Sequence, residues 1–161
     1  MILLNSILVA TDFGRASEAA LNYGRNLTRA FGANLHLLHV IDNRVAGTVA
    51  EFYPQEGYDR IEASASKSLN ACLTGDDKSR LRARTVLRVS GAPDEAIVEY
   101  ARDAHVDLIV IGTHGREGVA HLLMGSVAEK VVRSAPCPVL VVRAKEHEFI
   151  LPEPVAVHAR I

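Results

Sequence analysis

Cysteine is scarce in this chain of 161 residues: there are two, Cys72 and Cys137, and no CxxC pair. So thin a set excludes a disulfide framework and a thiolate zinc site, and it points to a reducing cytoplasm. Charge of one sign is lacking as well. A formal net charge of −1 leaves no electrostatic footprint for nucleic acid or for an anionic membrane surface. Long hydrophobic runs are missing, so no segment reads as a transmembrane helix. The opening residues, MILLNSILV, have neither a basic region nor a cleavage site and lead directly into strand-like sequence.

The familiar phosphate loops are absent too. No G-x-x-x-x-G-K-[ST] occurs, and no lysine is placed to reach a γ-phosphate. G-x-G-x-x-G is missing; "ATDFGRAS" follows the first apolar run, which counts against a nicotinamide-dependent dehydrogenase. The single Gly112-x-x-Gly115 follows a strand, whereas the GxxG of a KH domain lies between helices. No Ser-His-Asp or Cys-His arrangement is legible. His36 and His39 sit three apart on a strand, on opposite faces, and make a poor metal pair.

What is present is an alternation of strand and helix periods. Hydrophobic content of 48% and charged content of 23% are ordinary for one globular domain. Strands are expected over Ile7–Ala10, Leu35–Ile41, Arg84–Val89, Leu108–Ile111 and Pro138–Val142. Between them, Ala16, Ala20, Tyr23, Leu27 and Ala30 recur at helical spacing up to Gly32. Ile61, Ala65, Leu69 and Cys72 mark a second helix ending near Gly75. Pro93 starts a third, with acids in its first turn and Ala96, Ile97, Tyr100, Ala101 and Ala104 on one face. A fourth is expected to bury Ala128, Val131, Val132 and Ala135. Residues 43–57 read as a loop and the tail 144–161 as irregular.

Five nearly continuous apolar strands with four crossover helices predict an α/β fold with an open parallel sheet. Right-handed crossovers that cover both faces require the strand order to reverse, and ligands bind at that switch point, beyond the carboxyl ends of the strands. The segments after strands one, two and four therefore matter most. After strand four, "IGTHGREGVAHLLMGSVAEK" brackets a loop with small residues. Glycines and a helix start at Gly125-Ser126 offer N–H groups and a hydroxyl to an anion; equally, Ser126-x-x-Glu129 is a capping box that needs no ligand. After strand one, Asp12 can hold Mg²⁺ through water, or form an N-cap or Asx turn. After strand two, Val40 is an apolar contact for a base or a core residue, and Asp42 a ribose contact or a surface turn. His114, His121 and Arg116 face phosphate or solvent.

Residues 112–143, "GTHGREGVAHLLMGSVAEKVVRSAPCPVLVVR", resemble the universal stress protein family, with its G-2x-G-9x-G-[ST] signature intact. "ILVATDFGRASEAAL" and "LHLLHVID" resemble that family's first two strand regions, in the same order. The resemblance implies a universal stress protein domain over residues 1–143. Its fold would be Rossmann-like, akin to the adenine nucleotide alpha hydrolases, with strand order 3-2-1-4-5 and helices on both faces. It further implies an adenine-nucleotide site for ATP, ADP or AMP with Mg²⁺. Ala10, Thr11 and Val40 would line the adenine pocket, and Asp12 would face the ribose–phosphate region and the metal. Ile111, Gly112, His114 and Gly115 would form the wall and loop, with Arg116 outlying; Gly125, Ser126 and Val127 would bind phosphates. A cytoplasmic homodimer through the fifth strands, acting in the stress response through nucleotide-dependent conformation or an unknown protein partner, is the implied function. A slow Mg-dependent ATPase or nucleotidyl transferase is the alternative.

Overall fold

A computed structural model describes residues 1–44, 54–113 and 124–144. Five strands form one parallel sheet: β1 (Ser6–Ala10), β2 (Asn34–Asp42), β3 (Arg84–Ser90), β4 (Leu108–Gly112) and β5 (Val139–Val142). Their spatial order is β3-β2-β1-β4-β5, as the family resemblance implied. The helices are α1 (Arg15–Phe31), α2 (Pro54–Ala71), α3 (Gly75–Arg80), α4 (Pro93–Asp103) and α5 (Ser126–Ser134).

Alternation along each strand sorts the core into two layers. Ile7, Val9, Leu35, Leu37 and Val110 point to the face covered by α1 and α2, where they meet Ala20, Leu21 and Leu69. Leu8, Ala10, Leu38, Ile109 and Ile111 point to the other face, under α4 and α5, against Ile97, Tyr100, Ala128 and Val131. Each fully buried large side chain contributes about 1.5–3 kcal/mol. The chain thus leaves β1 toward one face and β4 toward the other. Because β1 and β4 are neighbours, with Ala10 opposite Ile111, a crevice opens beyond their carboxyl ends.

Local chemistry explains where the elements end. Gly32 closes α1 in the left-handed conformation at φ 65°, where a side chain would be strained. Pro93 opens α4 with Asp94 and Glu95 in the first turn. Three expectations need correction. The stretch 43–57 is not all loop, because α2 already begins at Pro54. The β2-to-β3 crossover contains two helices rather than one: Thr74 and Asp77 form a capping box that starts α3 just past the end of α2. Val132 is not buried but 44% exposed, since Ala128 and Val131 already span the buried stripe of α5. Among the described residues no helix is long and apolar enough to cross a membrane.

Candidate functional site

The turn after β1 is built by three short side chains. Asp12 Oδ1 accepts from the Gly14 N–H at 2.9 Å, which is the Asx turn foreseen for it, and lies 2.8 Å from the Ser17 hydroxyl. Thr11 Oγ1 accepts from the Phe13 N–H at 3.0 Å and lies 3.1 Å from the same Ser17 hydroxyl. Ser17, only 3% exposed, thereby ties the first turn of α1 to the end of β1 and fixes the half-buried Asp12 carboxylate. Sequence reasoning overlooked Ser17, because its burial and its bridge to Asp12 arise from the packing of α1 and leave no signal in the spacing.

Phe13 lies in the left-handed region at φ 66°, which is costly for a bulky residue. Its ring packs on that of His39, centroids 4.4 Å apart, and His39 Nδ1–H donates to the Thr11 carbonyl at 2.8 Å. His39 therefore belongs to this end of the sheet, whereas His36 contacts Ser6 and Tyr100 near its other end; the two histidines do lie on opposite faces. Neither Phe13 nor His39 was singled out as a site residue. Asp42 accepts from the Arg44 guanidinium at 2.7 Å, the surface turn that was foreseen.

The β4 side supplies the other wall. Ala10 and Ile111, 7% and 5% exposed, and the half-buried Val40 lie on one face of the sheet, joined there by Met124 and Val127. Gly112 proves to be a glycine for a packing reason. A Cβ there would stand 2.7 Å from the Ala16 carbonyl carbon and 2.8 Å from the Ser17 nitrogen, so α1 rests directly on the β4 backbone.

The two ends of the glycine-bracketed loop meet, because the Gly125 N–H donates to the Thr113 carbonyl and the Thr113 N–H donates to the Val142 carbonyl at 2.8 Å. The Gly125 amide is thus engaged. The amides of Ser126 and Val127, in the first turn of α5, have no intrahelical acceptor. The capping box foreseen at Ser126 does not form: Gly125 is the N-cap, Ser126 is the first helical residue, and among the described residues no side chain caps this helix. The exposed Ser126 hydroxyl stands at the positive end of the α5 dipole without a capping duty. His114, Gly115, Arg116 and His121 lie outside the described residues, as does the tail beyond Ala144. Among the described residues no three His, Cys, Asp or Glu side chains gather as a metal site.

Comparison with known proteins agrees with this architecture. A model of the universal stress protein family matches residues 4–143. Universal stress protein MJ0531 of Methanocaldococcus jannaschii is 31% identical over 147 residues, covering 91% of this chain and 86% of that protein. Universal stress protein MJ0577 of the same organism is 32% identical over 160 residues, covering 89% and 98%. The solved structure of MJ0577 superposes with a TM-score of 0.77 at 30% identity, over 91% of this chain and all of that one (100%). A universal stress protein solved in complex with cAMP has a TM-score of 0.56 at 26% identity, covering 89% and 100%.

Proposed function

Because the chain belongs to the universal stress protein family, we propose that it binds an adenine nucleotide between β1 and β4 and acts as a nucleotide-dependent stress-response module. The nucleotide is ATP, or ADP or AMP in its place, bound with Mg²⁺. The observation that carries this reading is the opening of α5 onto the crevice. Its first-turn amides and an uncapped Ser126 hydroxyl stand at the end of the same sheet face as Ala10, Val40 and Ile111. One half of such a site suits a polyphosphate and the other a purine ring. A related universal stress protein holds cAMP, which supports the adenine class.

Within this reading Ala10, Thr11 and Val40 hold the base, and Ile111 and Gly112 line the ribose side. Ser126 and Val127 take phosphate oxygens through their N–H groups, with the serine hydroxyl adding a third donor. Gly125 contributes mainly by closing the loop through Thr113. His114, Gly115 and Arg116 complete the loop by their place in the signature. Asp12, oriented by Gly14 and Ser17, is the carboxylate for Mg²⁺. The metal would supply charge neutralisation between phosphate oxygens.

Calorimetric titration of nucleotide-stripped protein with Mg-ATP tests the site, beside Ser126→Ala, Asp12→Ala and Gly115→Ala variants. Saturable binding that weakens in Ser126→Ala and Gly115→Ala is expected. Absence of heat from a correctly folded wild type would sink the nucleotide reading. Product release that Asp12→Ala abolishes would favour the ATPase or nucleotidyl transferase instead.

A further inference from the structure

A second cleft lies at the opposite end of the sheet. Its volume is about 400 Å³, and it is bordered by Ser6, Asn34 and Arg84, the first residues of β1, β2 and β3. Arg82, His105 and His36 complete its chemistry, with Asn5 beside Asn34. No acidic side chain lines it among the described residues. The nearby Asp107 carboxylate accepts from the Asn5 and Ser6 N–H groups at 2.7 and 3.0 Å, so its charge is spent on the β1 backbone. Neither Arg82 nor Arg84 is ion-paired among the described residues; their contacts are to the Gly32 carbonyl and to His36 Nδ1, each at 3.4 Å.

Backbone strain marks the same place. Among the described residues three non-glycine residues have positive φ, and two of them, Arg82 at 46° and His105 at 49°, line this cleft. Each lies one residue beyond the C-cap of its helix, Leu81 of α3 and Ala104 of α4, whereas α1 ends in the left-handed conformation with a glycine, its C-cap Gly32 at 65°. Glycine meets that conformation without strain, so a long basic and an imidazole side chain stand at these two ends against local preference. Beneath them the floor is fixed. His36 is 5% exposed; Tyr100 Oη–H lies 3.1 Å from its Nδ1 and the Ser6 hydroxyl 3.4 Å from its Nε2. Arg88 lies over the Tyr100 ring, 5.6 Å from its centroid.

We propose that this amino-end cleft binds a small organic anion, with Arg82 and Arg84 clasping its phosphate or carboxylate group and His105, Asn5 and Asn34 contacting the remainder. Two unpaired guanidiniums suit either head group, since both offer oxygens in the geometry that an arginine fork matches. The volume is within the range of small-molecule pockets and exceeds what a bare inorganic ion fills. The cleft is a strand's length from the β1–β4 crevice, roughly 15 Å at about 3.3 Å per residue, so the two sites are separable.

The test is an amide ¹⁵N spectrum of the whole protein titrated in turn with glycerol 3-phosphate, succinate and inorganic phosphate, with and without saturating Mg-ATP. Saturable shifts at Asn34, Arg82 and His105, with or without Mg-ATP, are expected for at least one organic anion; the tighter of the two identifies the head group. Arg82→Gly and His105→Gly keep the backbone conformation, so each is expected to raise the melting temperature. Arg82→Gly combined with Arg84→Ala should weaken the anion at least tenfold. Shifts confined to Gly125 and Ser126, or shifts unchanged in the double variant, would overturn the proposal. So would glycine variants that lower the melting temperature and leave the titration intact, because the two side chains would then serve structure alone.

Discussion

A methyl group added at position 112 would collide with backbone rather than with a side chain that can turn aside. The Ala16 carbonyl carbon and the Ser17 nitrogen stand 2.7 and 2.8 Å from where it would sit. Gly112→Ala is therefore expected to cost about 1–3 kcal/mol, the usual range for overpacking, read as a lower urea midpoint. It should also weaken nucleotide binding, because the displaced turn carries the serine that holds Asp12. His36 gives the molecule a pH signature. Burial, and secondarily the Arg84 charge, pull its pKa down to about 4 from 6.5. The unfolded chain takes up a proton near pH 6.5 that the folded chain refuses. Stability is then whole above that pH and declines as pH falls to about 4, by about 3 kcal/mol at most. Denaturation midpoints followed from pH 7 to 4 should show that slope, and His36→Gln should flatten it whatever its effect at pH 7.

At the scale of elements, α3 is a six-residue helix that cannot stand alone. Asp77, 1% exposed, anchors it, accepting from the Thr74 N–H at 2.8 Å and from both Nε and Nη2 of Arg25 on α1. Arg25 also donates to the Cys72 carbonyl at 2.6 Å, stitching the end of α2 into the same knot. Burial alone would push the Asp77 carboxyl up, but these hydrogen bonds and the Arg25 charge outweigh it and hold the carboxyl below its ordinary value. Its share of stability is present above the unfolded value of 3.8 and is lost as pH falls through the lowered one. Asp77→Ala should cost about 3–5 kcal/mol, since it strands a largely buried guanidinium; Arg25→Ala added to it should cost much less, as a double-mutant cycle in urea would show. None of this was legible in the sequence, because "GDDKSR" has no apolar stripe and its Gly75 reads as a stop signal. Four strands were legible as nearly unbroken apolar runs, and β3 by Val86, Leu87 and Val89 among its charged and polar residues. Val132 misled because adjacent valines satisfy a helical period equally well until neighbours choose between them. In the site, spacing singled out Asp12 and Ser126, but the Ser17 bridge and the Phe13–His39 wall depend on contacts that no spacing announces.

Across the whole molecule, a five-stranded open sheet has two edges, and they differ in chemistry. The β3 edge carries Arg84 and Arg88, charges that discourage pairing with another strand. The β5 edge is Val-Leu-Val-Val, without a charge or an internal proline. Its pairing with β4 runs through the Pro138 and Val142 carbonyls, which accept from the Ile109 and Thr113 N–H groups at 3.0 and 2.8 Å. Alternation then turns the N–H and C=O groups of Val139 and Val141 toward the open side. We infer that a second copy covers this edge, β5 against β5 in antiparallel sense about a two-fold axis, as the family resemblance implies. The Val142 carbonyl also secures the Thr113 end of the glycine-bracketed segment, so pairing at this edge would stiffen the strand that anchors that end. Val141→Pro removes an outward N–H while leaving the bonds to β4 in place, and it should turn a dimer into a monomer by sedimentation. Val132→Lys, on the exposed side of α5, should leave the dimer unchanged. A Val141→Pro protein that keeps its circular dichroism and still sediments as a dimer would place the interface elsewhere. A monomer that also binds Mg-ATP more weakly would show that edge and site are coupled through Val142 and Thr113.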